Sequence, residues 1–164
     1  MPKFSIIIPC FNAANTLAET LQSIRKQTLQ DWEAICIDDG STDDTKMIIL
    51  NAGEEDQRIK LVCNPKKGPS AARNFGAKHV ASGSIISFCD ADDLWSKDKL
   101  AEVAAFFDET GCDATFGQIA FFEGVPDEAR VFSTVPEEEL SIDELLAENP
   151  VCTMTNLRFQ QAAL

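Results

Sequence analysis

Phe4-Ser5-Ile6-Ile7-Ile8-Pro9 is a near-continuous apolar run rich in β-branched residues. Such a run reads as a short strand buried on both faces, the type found in parallel sheets. Thr16 to Lys26 follows with Leu17, Leu21 and Ile24 on one helical face, and Thr16 and Glu19 have the spacing of a capping box. The alternation then repeats. Trp32 to Asp38 reads as a second strand, and Ser41 to about Asn51 as a second helix that Gly53 stops. Ile59 to Cys63 is a third strand. Pro69 opens a third helix, where its missing N–H does no harm, and Gly83 marks that helix's end. Ser84 to Cys89 is a fourth strand, and Lys97 to Glu109 a fourth helix with Leu100, Val103, Ala104 and Phe107 at helical spacing. Four βα units in succession predict an α/β fold: a Rossmann-like, mostly parallel sheet with helices on both faces and right-handed crossovers. After Gly111 the pattern changes. Ala114 to Phe122 reads as a strand, Arg130 to Val135 as a partner near it, and Ser141 to Ala147 as a short helix with Ser141 and Glu144 in capping-box spacing.

A chain of 164 residues suits one domain, and 45% apolar with 25% charged residues is ordinary globular composition. No apolar run reaches the length of about 18 residues that a membrane-spanning helix needs. No basic segment followed by an apolar one opens the chain, so no signal peptide is expected. The net charge of −13, from 27 acidic and 14 basic residues, argues against a nucleic-acid partner. The runs Glu54 to Asp56 and Glu137 to Glu139 read as solvated charge at helix ends or loops. The six cysteines form no C-x-x-C pair, which speaks against a zinc site. Cys10, Cys36, Cys63 and Cys89 fall in or just after apolar runs and read as small buried hydrophobes, reduced thiols of a cytoplasmic protein.

The polar residues concentrate where strands end, the edge at which open α/β sheets bind ligands. The first strand ends at Pro9-Cys10-Phe11-Asn12, the second at Asp38-Asp39-Gly40-Ser41, the fourth at Asp90-Ala91-Asp92-Asp93. Carboxylates packed this closely repel one another and favour a counter-ion. Oxygen ligands suit Mg²⁺ or Mn²⁺, which take one or two carboxylates and leave other positions to water and phosphate. Alternatively, Asp92 or Asp93 caps the helix ahead. Ser41 or Thr42 suits the cap of the second helix. Asp38 and Asp39 are too many for one cap, so one can accept hydrogen bonds from a base or ribose. Phe11, on a loop, either stacks on a flat ring or packs in the core. Gly68-Pro-Ser-Ala-Ala-Arg-Asn74 starts the third helix, whose N-terminus suits an anion, and Arg73 can pair with phosphate or with the acidic edge. His79, the only histidine, reads as a solvated residue near a helix C-terminus. There is no G-x-G-x-x-G after the first strand, no P-loop and no G-x-S-x-G elbow.

Ser5-Ile-Ile-Ile-Pro-Cys-Phe-Asn12, Thr16-Leu17, Ser23-Ile24 with Gln27-Thr28, Asp38-Asp-Gly-Ser-Thr-Asp43, Gly68 with Ala71-Ala-Arg-Asn74, and Phe88-Cys-Asp-Ala-Asp-Asp93 together resemble the family 2 inverting glycosyltransferases of the GT-A fold. The resemblance runs in order over residues 4 to 110. It implies that Pro9, Phe11 and Asp39 surround a base, uracil first among them, that Asp90 lies near the ribose, and that Asp92 ligates Mn²⁺ or Mg²⁺. Phe11 stands where tyrosine is frequent, which keeps the ring and drops a hydroxyl. The candidate nucleotide-binding residues are thus Pro9, Phe11, Asn12, Asp38, Asp39, Arg73 and Asp90, with Asp92 as candidate metal ligand.

The resemblance also implies a partition, with nucleotide-sugar-binding βα units over 1–110 and the start of an acceptor-side region over 111–164. The implied donor is a nucleoside diphosphate sugar, a UDP-sugar first. The implied acceptor is a glycan or lipid-linked hydroxyl in polysaccharide or glycoconjugate synthesis, with peripheral association at the inner membrane face through regions outside this chain. The family's base belongs to a Glu-Asp pair well after the D-x-D. None follows Asp93, so the base is expected beyond Leu164 and the chain reads as the donor-binding part of a longer, C-terminally truncated enzyme. Glu123, Asp127, Glu128 and the acids from Glu137 to Glu148 lie in no such motif. Two rival readings are a nucleotide-binding module without catalysis and a phosphoacceptor signalling domain. The latter needs a lysine at the end of a later strand, and Gln118 to Phe122 offers none.

Overall fold

The computed structural model describes residues 1–121, 131–133 and 157–160. Its strands are β1 Phe4–Cys10, β2 Trp32–Asp38, β3 Ile59–Cys63, β4 Ile85–Phe88, β5 Ala114–Phe116, β6 Ala120–Phe121, β7 Val131–Phe132 and β8 Leu157–Gln160. Its helices are α1 Leu17–Arg25, α2 Thr45–Glu55, α3 Pro69–Phe75 and α4 Lys99–Thr110. A six-stranded sheet has the order β3-β2-β1-β4-β8-β5. β1 runs parallel to β2 and β4, and β2 parallel to β3, as the alternating βα signals predict.

Period-two alternation along β1 divides the core. Phe4, Ile6, Ile8 and Cys10 face Leu17, Leu21 and Ile24 of α1, Ile49 of α2, and Leu100, Ala104 and Phe107 of α4. Ile7, with Ile35 and Ile37 of β2, faces Ala72 of α3 and Ala77 just beyond it. Helices therefore cover both faces. Each fully buried Leu, Ile or Phe here contributes roughly 1.5–3 kcal/mol, which is why short strands with no polar face persist. α4 stops at Gly111, whose φ of +65° is the left-handed turn that glycine adopts without strain, and its N–H donates to the Phe107 carbonyl at 2.9 Å.

Several local expectations are corrected. α2 begins at Thr45, not Ser41, and continues through Gly53 to Glu55. Gly53 is no stop, because a Cβ there would meet the Ile59 carbonyl at 3.0 Å; its smallness lets α2 lie close to β3. The third helix continues past α3 as a π-helical turn, Gly76–Val80, and ends before Gly83. A Cβ on Gly83 would stand 2.7 Å from the Phe4 and Ser5 backbone, so this glycine serves close packing against β1. No side chain caps α1: the Thr16 hydroxyl lies 3.5 Å from the Ala13 carbonyl. The strand expected over Ala114 to Phe122 divides into β5 and β6, and β6 pairs with β7 two residues deep. β8, unforeseen, inserts antiparallel between β4 and β5. Its Arg158 is 1% exposed, with the guanidinium 5.8 Å from the Trp95 ring. Burial lowers its pKa to about 10, against the opposing effect of Cys89, and it stays charged at neutral pH. Cys63 is exposed rather than buried, whereas Cys10, Cys36 and Cys89 are buried free thiols. Ser141 to Ala147, the acids from Glu123 to Glu128 and from Glu137 to Glu148, and Cys152 lie outside the described residues.

Candidate functional site

Parallel pairing brings the carboxyl ends of β1, β2, β3 and β4 to one edge. There a cavity of about 510 Å³ opens. Of the expected residues, Pro9, Phe11, Asn12, Asp39, Arg73, Asp90 and Asp92 line it. Asp38 does not. It is 2% exposed, and its carboxylate accepts the N–H groups of Gly40 and Ser41 at 3.0 and 3.2 Å, with the Lys46 ammonium at 3.3 Å. Burial raises its pKa, but Ser41, Gly40 and Lys46 outweigh that and hold the carboxyl below its ordinary value. Asp38 therefore builds the loop after β2, and Asp39 is the carboxylate that the loop presents.

Ser41 and Thr42, expected as helix caps, tie two loops together instead. The Asn12 N–H donates to the Ser41 hydroxyl at 3.0 Å, and the Thr42 N–H donates to Asn12 Oδ1 at 2.9 Å. Asn12 sits at φ +50°, a left-handed conformation that asparagine tolerates better than most side chains. Ala13 N–H reaches the Thr45 hydroxyl at 2.8 Å and Ala14 N–H the Asp43 carboxylate at 3.0 Å. The hydrogen bond from the Thr45 hydroxyl is the largest influence on the Asp43 carboxyl, whose pKa is lowered. These clips present Phe11, 61% exposed, at the cavity instead of in the core.

Across the cavity the Arg73 guanidinium, carried by α3, donates to Asp90 Oδ1. Asp92 stands exposed beside them. Neither Asp92 nor Asp93 caps α4, whose N-cap is Asp98. His79 is exposed and rests against the Phe75 ring, with centroids 5.7 Å apart. Three carboxylates, Asp39, Asp90 and Asp92, thus line the cavity with the Arg73 guanidinium, and like charges gathered in this way favour a counter-ion. Among the described residues no three His, Cys, Asp or Glu side chains gather to hold a metal ion. One exposed carboxylate nevertheless fits Mg²⁺ or Mn²⁺, which complete their shells with water and phosphate oxygens.

Residue-by-residue reading passed over Asn15, Thr16 and Pro69, which also line the cavity. It also passed over Asn64, whose amide donates to Asp39 at 2.6 Å. Asn64 directly follows β3 at the same sheet edge, so the strand-end rule that found the other residues reaches it too.

The sequence profile described as Glycosyl transferase family 2 matches residues 5–163. The chain belongs to this family. An uncharacterized glycosyltransferase of Haemophilus influenzae is 37% identical over 158 residues, covering 96% of this chain and 62% of the relative. An Escherichia coli relative, the UDP-Glc:alpha-D-GlcNAc-diphosphoundecaprenol beta-1,3-glucosyltransferase WfgD, is 43% identical over 97 residues, 58% of this chain and 37% of its own length. The crystal structure of S. aureus TarS 1-349 in complex with UDP superposes with a TM-score of 0.74 at 28% identity, covering 98% of this chain and 47% of that one. The mostly parallel sheet with flanking helices is accordingly the GT-A fold of family 2 glycosyltransferases. The chain spans less than two thirds of the length of these relatives.

Proposed function

We propose that this chain forms the donor side of a hexosyltransferase that moves a sugar from a nucleoside diphosphate sugar, a UDP-sugar first, to an acceptor hydroxyl with inversion. The observation that carries the reading is the convergence of Phe11, Asp39, Arg73, Asp90 and Asp92 on one cavity of nucleotide size at the sheet's carboxyl edge. The UDP held by TarS and the UDP-Glc named for WfgD support a uridine donor. The diphosphoundecaprenol in the latter name supports a lipid-linked acceptor, met at the cytoplasmic face of a membrane.

Phe11 and Pro9 flank the base, Asp39 accepts hydrogen bonds from it, Asp90 reaches the ribose, and Asn12 holds the loop that carries Phe11. Asp92 holds Mn²⁺ or Mg²⁺, which when bound neutralises diphosphate charge. In the transfer, the acceptor oxygen bonds to the anomeric carbon as the carbon–diphosphate bond breaks, and the acceptor proton passes to a carboxylate base on the acceptor side. Residues 1–110 serve the nucleotide and 111–164 begin the acceptor-side region. A calorimetric screen of UDP, GDP, CDP and ADP with and without Mn²⁺ tests the reading. UDP with Mn²⁺ is expected to bind tightest, and equal affinity for all four would overturn it.

A further inference from the structure

We propose that Asn64 is a positioning residue that, acting through Asp39, makes the cavity selective for a nucleobase with an N–H donor at the centre of its pairing edge. The inference rests on the nucleotide reading of the cavity given above.

Asn64 is held at both its backbone and its side chain. Its backbone N–H donates to the Asp38 carbonyl at 2.8 Å, anchoring the loop after β3 to the end of β2. Its Nδ2 donates to Asp39 Oδ1 at 2.6 Å, while its Oδ1 accepts the Lys66 N–H at 3.2 Å. These partners orient the amide, because the reverse orientation would set an oxygen against a carboxylate and an NH₂ against an N–H. The Gly68 N–H donates to the other carboxylate oxygen, Asp39 Oδ2, at 2.8 Å. Each oxygen of Asp39 thus has a donor from the protein, and the plane of the carboxylate is fixed. Asp39 lines the cavity and Asn64 does not, so Asn64 acts behind it.

A carboxylate held in this way presents only lone pairs to a ligand. Uracil and guanine offer a ring N–H at the middle of the pairing edge. Cytosine and adenine offer a ring nitrogen lone pair there and meet the carboxylate acceptor to acceptor. Sites built to hydrogen-bond one group reject analogues that leave it unpaired. Without the Asn64 amide, only the Gly68 N–H still holds the carboxylate; it can pivot about that one bond, and a turned carboxylate can take the exocyclic amine of cytosine instead.

The test compares wild type, Asn64→Ala and Asn64→Ser by calorimetry with UDP, CDP and inorganic pyrophosphate, all with Mn²⁺, after circular dichroism has checked folding. Wild type is expected to prefer UDP to CDP. Asn64→Ala is expected to narrow that UDP-to-CDP ratio by about tenfold, a change of the size one well-placed hydrogen bond makes. Pyrophosphate, which carries no base, is expected to bind within about twofold of wild type. Asn64→Ser keeps a donor of shorter reach and is expected to fall between the two; it carries the comparison if the alanine variant does not fold. An unchanged UDP-to-CDP ratio in the folded variant overturns the proposal. So does an equal loss of UDP and pyrophosphate, which would make Asn64 merely structural. A wild-type protein that binds UDP and CDP equally well also overturns the proposal, whereas one that binds neither nucleotide in the presence of Mn²⁺ refutes the nucleotide reading itself, before any variant is compared.

Discussion

Asp92 is an exposed carboxylate on the cavity wall, whereas Asp90 beside it is paired with Arg73. That difference assigns distinct consequences to their loss. Asp92→Asn is expected to leave stability within about 0.5 kcal/mol of wild type, as surface substitutions do. It should also remove the Mn²⁺-dependent part of UDP affinity. Melting curves and UDP titrations with Mn²⁺ or EDTA check both halves, and a variant whose UDP affinity still responds to Mn²⁺ would dismiss Asp92 as the ligand. Asp38 and Asp39 make the same point about legibility. They are adjacent and chemically identical, and composition cannot say which one a ligand meets. The end of the strand separates them: Asp38, the last residue of β2, is buried under its own loop, and Asp39 is the first residue beyond the strand.

At the scale of elements, the edge of the sheet opposite the cavity is tied by a buried carboxylate. Glu33 of β2 accepts from the Ser5 hydroxyl at 2.6 Å, the Ser82 hydroxyl at 2.7 Å and N–H at 2.8 Å, and the Lys60 ammonium of β3 at 2.7 Å. Burial pushes its pKa up, but Lys60, Ser5 and Ser82 outweigh burial and bring it to about 2, from an ordinary 4.5. A depressed carboxyl stabilises the fold at pH above its unfolded value and ceases to do so as pH falls through the folded value. About 3 kcal/mol is therefore expected to be present above about pH 4.5 and lost progressively toward pH 2. Urea midpoints at intervals from pH 6 to 3 should fall more steeply for wild type than for Glu33→Gln, and parallel curves would refute the linkage. Gly83 supplies the second element-scale prediction. Gly83→Ala pushes a Cβ to 2.7 Å from the β1 backbone, which has no side chain to swing aside. A loss of about 1–3 kcal/mol is expected in urea unfolding; a neutral result would mean that the turn before β4 shifts at no cost. Pattern reading took both Gly53 and Gly83 as helix stops. A glycine that ends a helix and one that admits a neighbour look alike until the neighbour is in place.

For the molecule as a whole, the net charge of −13 and the acidic cavity oppose an anionic ligand, so cation and nucleotide are expected to bind together. At a UDP concentration near 100 times its dissociation constant, with Mn²⁺ present, the expected stabilisation is about 2.7 kcal/mol. For a chain of this size that raises the Tm by roughly 5–10 °C. EDTA should abolish the shift, and a shift that survives EDTA would contradict the coupling. Local sequence pattern specified the βα alternation, the apolar strands and the strand-end clusters, because period-two and helical spacing are local properties that burial of a strand or helix face imposes on each segment alone. From those clusters it also delivered most of the residues that line the cavity. Three-dimensional packing set the rest: Ser41 and Thr42 clip one loop to another, Asp38 is structural while Asp39 faces the cavity, and Asn64 stands behind Asp39. It alone inserted β8 between β4 and β5. The donors that bury Asp38 are its neighbours Gly40, Ser41 and Lys46, but the other cases depend on partners roughly 25 to 75 residues away along the chain, and such pairings are selected by the packing of the completed sheet, which no local spacing encodes.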